Sequence, residues 1–265
     1  MRIFDSHCHI DDKSFNKDRD QVIKNARKAN VTAMMIVGIN QRSSEEAVNI
    51  AKKYPNIFAS VGIHPHDAKN CSEELLQSLQ VFAKDDNVKA WGETGLDFNR
   101  MFSPQEDQEN CFCRQMEIAK DLELPLIFHE RDSNGRFLEI LKQAKFKKRK
   151  GVVHCFSGNK KELLAYLDLG YHIGITGIFT IHKRGQKLRS LIEYIPKERI
   201  LVETDAPYLT PAPEKNRTRR NEPAFVKSTL LKIAQELQEN PNDLAEVIWK
   251  NTCDLYDLQE ISDSF

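Results

Sequence analysis

The sequence has no apolar run approaching the roughly 20 residues that a membrane-spanning helix needs, and no basic segment followed by an apolar stretch stands behind Met1. Membrane insertion and secretion are therefore not expected, and the expected setting is cytoplasmic. An excess of charge of either sign is also missing, since 39 Lys plus Arg offset 39 Asp plus Glu. No molecule-wide basic field is available to grip duplex DNA, so any affinity for nucleic acid must come from a local patch. The six cysteines, at 8, 71, 111, 113, 155 and 253, form no C-x-x-C pair and no framework spacing, which fits packing residues in a reducing compartment. Nor does a Gly-rich turn follow the first apolar run, which excludes the usual dinucleotide-binding start of an open α/β sheet.

What is present is a chain of 265 residues, 40% hydrophobic and 29% charged, the size of one α/β barrel of about 250 residues. Eight short apolar or β-rich runs punctuate it: 2–7, 32–39, 57–63, 88–93, 125–129, 151–154, 171–175 and 200–205. Each has the length of a buried parallel strand. Between them lie amphipathic patterns such as Val22, Ile23, Ala26, Ala29 and Leu75, Leu76, Leu79, Phe82, which put one apolar stripe on a helix. Ser103-Pro104-Gln105-Glu106 reads as a capping box with proline at the first helical position, Asn240-Pro241 as a second helix start, and Gly170 as a helix C-terminus. Eight β-then-α units predict an α/β fold of the (β/α)8 TIM-barrel type, a single domain over 1–265. No linker or repeat interrupts it, although 210–220 forms a long Pro- and charge-rich loop after the eighth strand.

The reactive residues fall at strand ends. His7 and His9 close the first strand, Glu93 the fourth, His129 the fifth, His154 the sixth and Asp205 the eighth. In a barrel those C-terminal ends converge on one mouth, where catalytic groups of this fold sit. Strict strand alternation turns His7 and His9 inward with Cys8 outward, Glu203 and Asp205 inward together, and Lys89, Trp91 and Glu93 inward together. Four imidazoles and two carboxylates are donors that Zn, Mn, Mg or Fe accept. Six protein ligands exceed what one catalytic ion uses while keeping an open position, so two divalent ions are expected, bridged by Glu93. His64, in VGIHPHD after the third strand, reads as a substrate or phosphate contact. His66, His172 and His182 read as ordinary structural or surface histidines.

These motifs taken together, H-C-H near the N-terminus, VGIHPHD, WGETGLDF, FHERD, VVHCFSG and VETDAPYL, resemble the TatD family of metal-dependent deoxyribonucleases within the amidohydrolase superfamily. The resemblance covers nearly the whole chain, and GLDFNR and RRNEPA stand closer to the type member of that family than to its paralogues. It implies a TIM barrel with His7, His9 and Asp205 around one ion, His129 and His154 around the other, and Glu93 between them. It further implies magnesium-dependent removal of nucleotides from the 3′ end of single-stranded DNA, extending to RNA, and a connection with DNA repair, with Zn²⁺ or Mn²⁺ as other ions the site accepts. Where members often carry Cys after the fifth-strand histidine, Glu130 stands here, and alternation turns it outward.

In this reading Asp205 positions the attacking water as general base, as is usual for the eighth-strand aspartate in such families. Glu203 either orients a ligand or is a buried carboxylate paired with Arg or Lys. Arg131 continues the inward parity of the fifth strand toward a phosphate. Lys215, Arg217, Arg219 and Arg220 fit a nucleic-acid backbone, while Tyr208 and Phe98 are candidates to stack a terminal base. The expected partner is single-stranded nucleic acid, with no membrane, and the expected state is a monomer. Two other functions share these residues. One is a bimetallic amidohydrolase acting on a small cyclic amide or ester, although the lysine that often bridges such metals at the end of strand four is replaced by Glu93, with Lys89 deeper. The other is a non-catalytic metal-binding barrel that docks a partner, against which stands an inward aspartate beside the histidines.

Overall fold

A computed structural model describes residues 1–144, 150–258 and 261 of the chain. Eight parallel strands follow one another in sequence order: β1 (Ile3–Cys8), β2 (Val31–Val37), β3 (Ile57–Val61), β4 (Val88–Asp97), β5 (Leu126–Arg131), β6 (Gly151–Val153), β7 (His172–Ile175) and β8 (Ile200–Val202). Beyond β8 the chain returns to β1, with Asp205 N donating to His7 O at 2.9 Å and His9 N to Ala206 O at 2.7 Å. The result is a nearly closed (β/α)8 barrel, as the strand–helix alternation predicts. Around it lie α1 (Arg19–Lys28), α2 (Gln41–Lys53), α3 (Glu73–Phe82), α4 (Gln105–Asp121), α5 (Arg136–Gln143), α6 (Lys160–Asp168), α7 (Gln186–Arg189), α8 (Val226–Leu237) and α9 (Pro241–Leu255). No helix among the described residues is long and apolar enough to cross a membrane.

The apolar residues sort into two layers. Val22, Ile36, Trp91, Phe112, Phe128 and Leu230 belong to the larger one, between strands and helices. Phe4, Ala33, Met35, Val37, Ala90, Ile127, Val152 and Leu201 form the smaller one inside the barrel. Trp249 and Tyr256, from α9 and its C-terminal end, pack on Phe4 with ring centroids 5.8 and 6.3 Å away. This plugs the strand-starting end with apolar rings and leaves the opposite end for polar groups.

Strict alternation breaks at several points, and two of the breaks serve the mouth. Between Asp5↔Met34 and Cys8↔Ile36, β1 advances three residues while β2 advances two. Phe4 therefore points into the barrel below the bulge, and His7 points in above it. The same happens in β4 between Trp91↔Leu126 and Thr94↔Phe128. The expectation that Trp91 shares an inward face with Glu93 is thus corrected: Ala90 fills the interior and Trp91 turns outward, its Nε1 donating to Gln115 Oε1 of α4 at 3.1 Å. Gly92 makes the shift possible. It has φ +139°, and a Cβ there would sit 2.4 Å from Ile127 O. β4 also runs four residues further than expected, carrying Asp97 to the mouth.

Of the punctuation marks, Asn240 does cap α9, accepting from Asn242 N, and Gly170 takes φ +90° just past α6. Ser103 does not cap α4. The helix starts after Pro104 with no side-chain cap, because the Ser103 hydroxyl is committed elsewhere, donating to His66 O at 2.8 Å and accepting from Lys69 N at 3.1 Å.

Candidate metal centre

The six strand-end residues meet at the mouth. His7 Nε2 lies 3.2 Å from His9 Nε2, 3.5 Å from Glu93 Oε2 and 3.8 Å from Asp205 Oδ1. Asp205 Oδ1 is also 3.3 Å from His9 Nε2 and 3.8 Å from His154 Nε2. On the other side of Glu93, Oε1 is 2.7 Å from His129 Nδ1 and 3.6 Å from His64 Nε2. Three groups of possible ligand atoms follow, each within 4.8 Å: His7, His154 and Asp205; His7, His9 and Glu93; His64, Glu93 and His129. His154, expected beside His129, thus stands with His7 and Asp205, and His64, read from the sequence as a substrate or phosphate contact, stands beside His129.

The rings are oriented as metal-binding imidazoles are, with one nitrogen turned to an outer partner and the other to the centre. His9 Nδ1 is 2.9 Å from Val37 O. His154 Nδ1 is 2.8 Å from Glu203 Oε1, close enough for electrostatic pairing though off-line for a directed hydrogen bond. His129 Nε2 is 3.4 Å from Asp97 Oδ2. This outer layer leaves Nε2 of His9, Nε2 of His154 and Nδ1 of His129 facing the carboxylates. Nitrogen and oxygen donors, buried and converging with unshared pairs, fit divalent cations. Glu203 is fully buried and accepts a hydrogen bond from Cys155 N at 2.6 Å. Its partners are a histidine and a backbone amide rather than Arg or Lys. Ser6 Oγ, 3.5 Å away, completes its surroundings.

The electrostatics follow from packing so many ionisable groups out of water. Burial pushes His7 down, and the neighbouring His154 adds to this. Burial also disfavours charge on His9, but the hydrogen bond to Asp205 and the charges of Asp205, Asp11 and Glu93 outweigh it and lift His9 to about 10. His129 is raised to about 9 in the same way, against burial, by Asp97 and Glu93. Burial works to raise Glu93, yet the surrounding His64, His154, His129 and His7 hold it well below the usual carboxylate range. Protons on these rings and divalent cations compete for the same lone pairs.

Sequence reasoning missed three members of this site. Asp97, buried, bridges His66 Nε2 at 2.7 Å and His129. Its signal was GLD continuing straight on from the WGET strand. His66 stacks edge-on against His64 at 4.2 Å, and Phe102 lies against His66 at 4.7 Å.

The proposed substrate contacts divide. Tyr208 is 55% exposed and 6.3 Å from the His9 ring. Arg131, Lys215, Arg217 and Arg219 are exposed. Arg220 is already engaged, paired with Asp18 at 2.6 Å and Glu222 at 3.0 Å and lying 4.7 Å over the Phe15 ring. This corrects its reading as a backbone contact, because it holds the loop to the start of α1. Phe98 is half-buried and packs on the outer apolar layer. Glu130 spends its carboxylate on Ser133, accepting from N at 3.1 Å and Oγ at 2.7 Å.

A family model described as TatD related DNase matches residues 4–257. A relative from Rahnella sp. named 3′-5′ ssDNA/RNA exonuclease TatD is 40% identical over 259 residues, covering 97% of this chain and 98% of its own. One of the same name from Salmonella typhimurium is 38% identical over 258 residues, covering 97% and 99%. Among solved structures, YjjV, a TatD homologue from Escherichia coli, superposes with a TM-score of 0.88 at 28% identity, covering 97% of this chain and 98% of that one. On a match of this extent, at this identity and with the same barrel, the chain belongs to the TatD-related DNase family.

Proposed function

We propose that this protein is a divalent-metal-dependent 3′–5′ exonuclease acting on single-stranded nucleic acid. The observation that carries the reading is the position of Glu93. Its Oε2 faces His7 and His9 while its Oε1 faces His129 and His64, so one carboxylate serves two neighbouring ligand clusters. The relatives' name, 3′-5′ ssDNA/RNA exonuclease TatD, supports the direction and the substrate.

In this reading His7, His9, Asp205 and His154 would hold one ion and His129, with His64, the other, with Glu93 available to both. Divalent ions bound there would supply charge neutralisation for the phosphate oxygens and a water acidic enough to react near neutral pH. Asp205 reaches into the centre from the segment after β8, orients the attacking water and accepts its proton. Glu203 keeps the His154 ring in place. Arg131 and the exposed Arg219 take backbone phosphates, and Tyr208 lies under a base. The ion used is Mg²⁺, with Mn²⁺ or Zn²⁺ as substitutes, and the molecule works as one domain and as a monomer.

The test is hydrolysis of 3′-labelled single-stranded DNA with each of these ions. Stepwise shortening that EDTA abolishes and Glu93→Ala reduces by at least two orders of magnitude is expected. Turnover untouched by Glu93→Ala would place the activity elsewhere. An inactive protein that instead opens a cyclic amide would make it an amidohydrolase, and one that binds metal but turns over neither would make it a non-catalytic barrel.

A further inference from the structure

Phe102 lies on the loop between β4 and α4 with its side chain 57% exposed, although the backbone around it is tied down. Asp97 Oδ1 accepts from Asn99 N at 3.0 Å and Arg100 N at 2.8 Å. The next residue, Ser103, is bonded to both His66 O and Lys69 N. Gln108 Nε2 reaches back to Asp97 O at 3.2 Å and Ser103 O at 2.8 Å. A loop fixed at so many points does not expose an apolar ring through slackness.

Where that ring stands gives the exposure a use. It meets the His66 ring at 4.7 Å, nearly perpendicular, and His66 in turn touches His64 and Asp97. Phe102 is therefore one imidazole removed from the His64–Glu93–His129 group, at the opposite end of the ligand row from Tyr208 and His9. Met101, the residue before it, is 46% exposed as well. A phenyl ring carries no hydrogen-bonding or metal-coordinating heteroatom. What it offers next to a phosphate-binding centre is a flat apolar face of the kind on which unpaired bases stack. Bases in a duplex already have both faces covered, so such a platform rewards single strands.

We propose that Phe102 is a specificity-determining residue, a platform on which one of the two bases flanking the scissile phosphate stacks. This rests on the nuclease reading above. Oligonucleotides carrying an abasic residue at the 3′-terminal or the penultimate position, compared with intact ones, test it. Phe102→Ala should raise KM for the intact strand roughly thirtyfold, the middle of the range for one lost base–aromatic stack, with kcat little changed. At one abasic position wild type should be weakened by a similar factor and Phe102→Ala should add nothing further. Phe102→Trp should restore the intact-strand KM, and Phe102→Leu, apolar but not aromatic, should not.

If Phe102→Ala leaves KM unaltered, loses equally on every abasic strand, or is rescued by leucine, the ring is merely a cover over His66 and the inference falls while the nuclease reading stands. If wild type degrades none of these strands with any of the three ions, both fall together. Because the side chain is exposed, the alanine variant should unfold at the wild-type temperature, which separates loss of stacking from loss of fold.

Discussion

Replacing Glu203 by glutamine tests whether the outer layer sets the metal site. Glu203 accepts from Cys155 N at 2.6 Å and lies 2.8 Å from His154 Nδ1, so it fixes which nitrogen of His154 faces Asp205 and Glu93. Glutamine keeps the volume and can still accept from Cys155 N, but it removes the charge that favours the proper tautomer and partial positive charge of the ring. Losing one such outer partner costs about 10- to 100-fold in metal affinity or activity, or roughly 1.4 to 2.7 kcal/mol. Stability should fall by less than that, about 1 kcal/mol, because no cavity opens.

The assay is kcat/KM on single-stranded DNA across a metal titration, with urea unfolding in parallel. Half-saturation should move to about tenfold or more higher ion concentration, and saturating metal should recover most of the lost rate. Gly174→Ala should imitate it, since a Cβ there would lie 2.5 Å from Glu203 Oε2 and displace the carboxylate. Unaltered half-saturation and kcat/KM in Glu203→Gln would refute the reasoning and make Glu203 a structural carboxylate.

Two further outcomes are expected. Arg219→Ala should raise KM and lower the salt dependence of binding by about 0.7, one phosphate contact on a single strand. Arg220→Ala should leave both unchanged and reduce stability by about 1 kcal/mol through the lost pairing with Asp18 and Glu222, a small figure because the pair is partly exposed; the reverse pattern would interchange their roles. Away from the mouth, His172 is lowered from 6.5 to about 4 by burial and by the charge of Arg199. Between those values the unfolded chain binds a proton that the folded chain refuses, so stability present in full above pH 6.5 should drain away as pH falls toward 4, by at most roughly 3 kcal/mol before discounting for partial exposure. His172→Asn should flatten that slope in denaturation midpoints, and an identical slope would assign the acid sensitivity to other groups.

Much of this architecture was legible because the barrel is built from one unit repeated in order. Apolar runs bounded by amphipathic stretches locate all eight strands, and the placement of His7, Glu93, His129, His154 and Asp205 at run ends locates the mouth. What alternation could not show was where it breaks. Two bulges reverse the facing of Trp91 and decide that Phe4 and His7 share the barrel interior, and a bulge is set by pairing with a neighbouring strand rather than by local composition. His66 and Asp97 escaped for a related reason. Each acts through a contact with a loop distant in sequence, and neither stands at a strand end that the apolar pattern marks. Arg220 shows the converse. Its neighbours in the chain are basic, but its partners Asp18 and Phe15 are some 200 positions away, so only the folded chain reveals that its charge is already spoken for.

The extra residue in β1 has a consequence for how such a molecule can change over time. Below that hitch, even-numbered side chains answer to the plug of Trp249 and Tyr256; above it, odd-numbered ones answer to the reaction. The strand behaves as two gears on one shaft, meshed with different machinery. Substitutions that refit the lower end can accumulate without turning the upper end, because the extra residue lets each set of side chains keep its own facing.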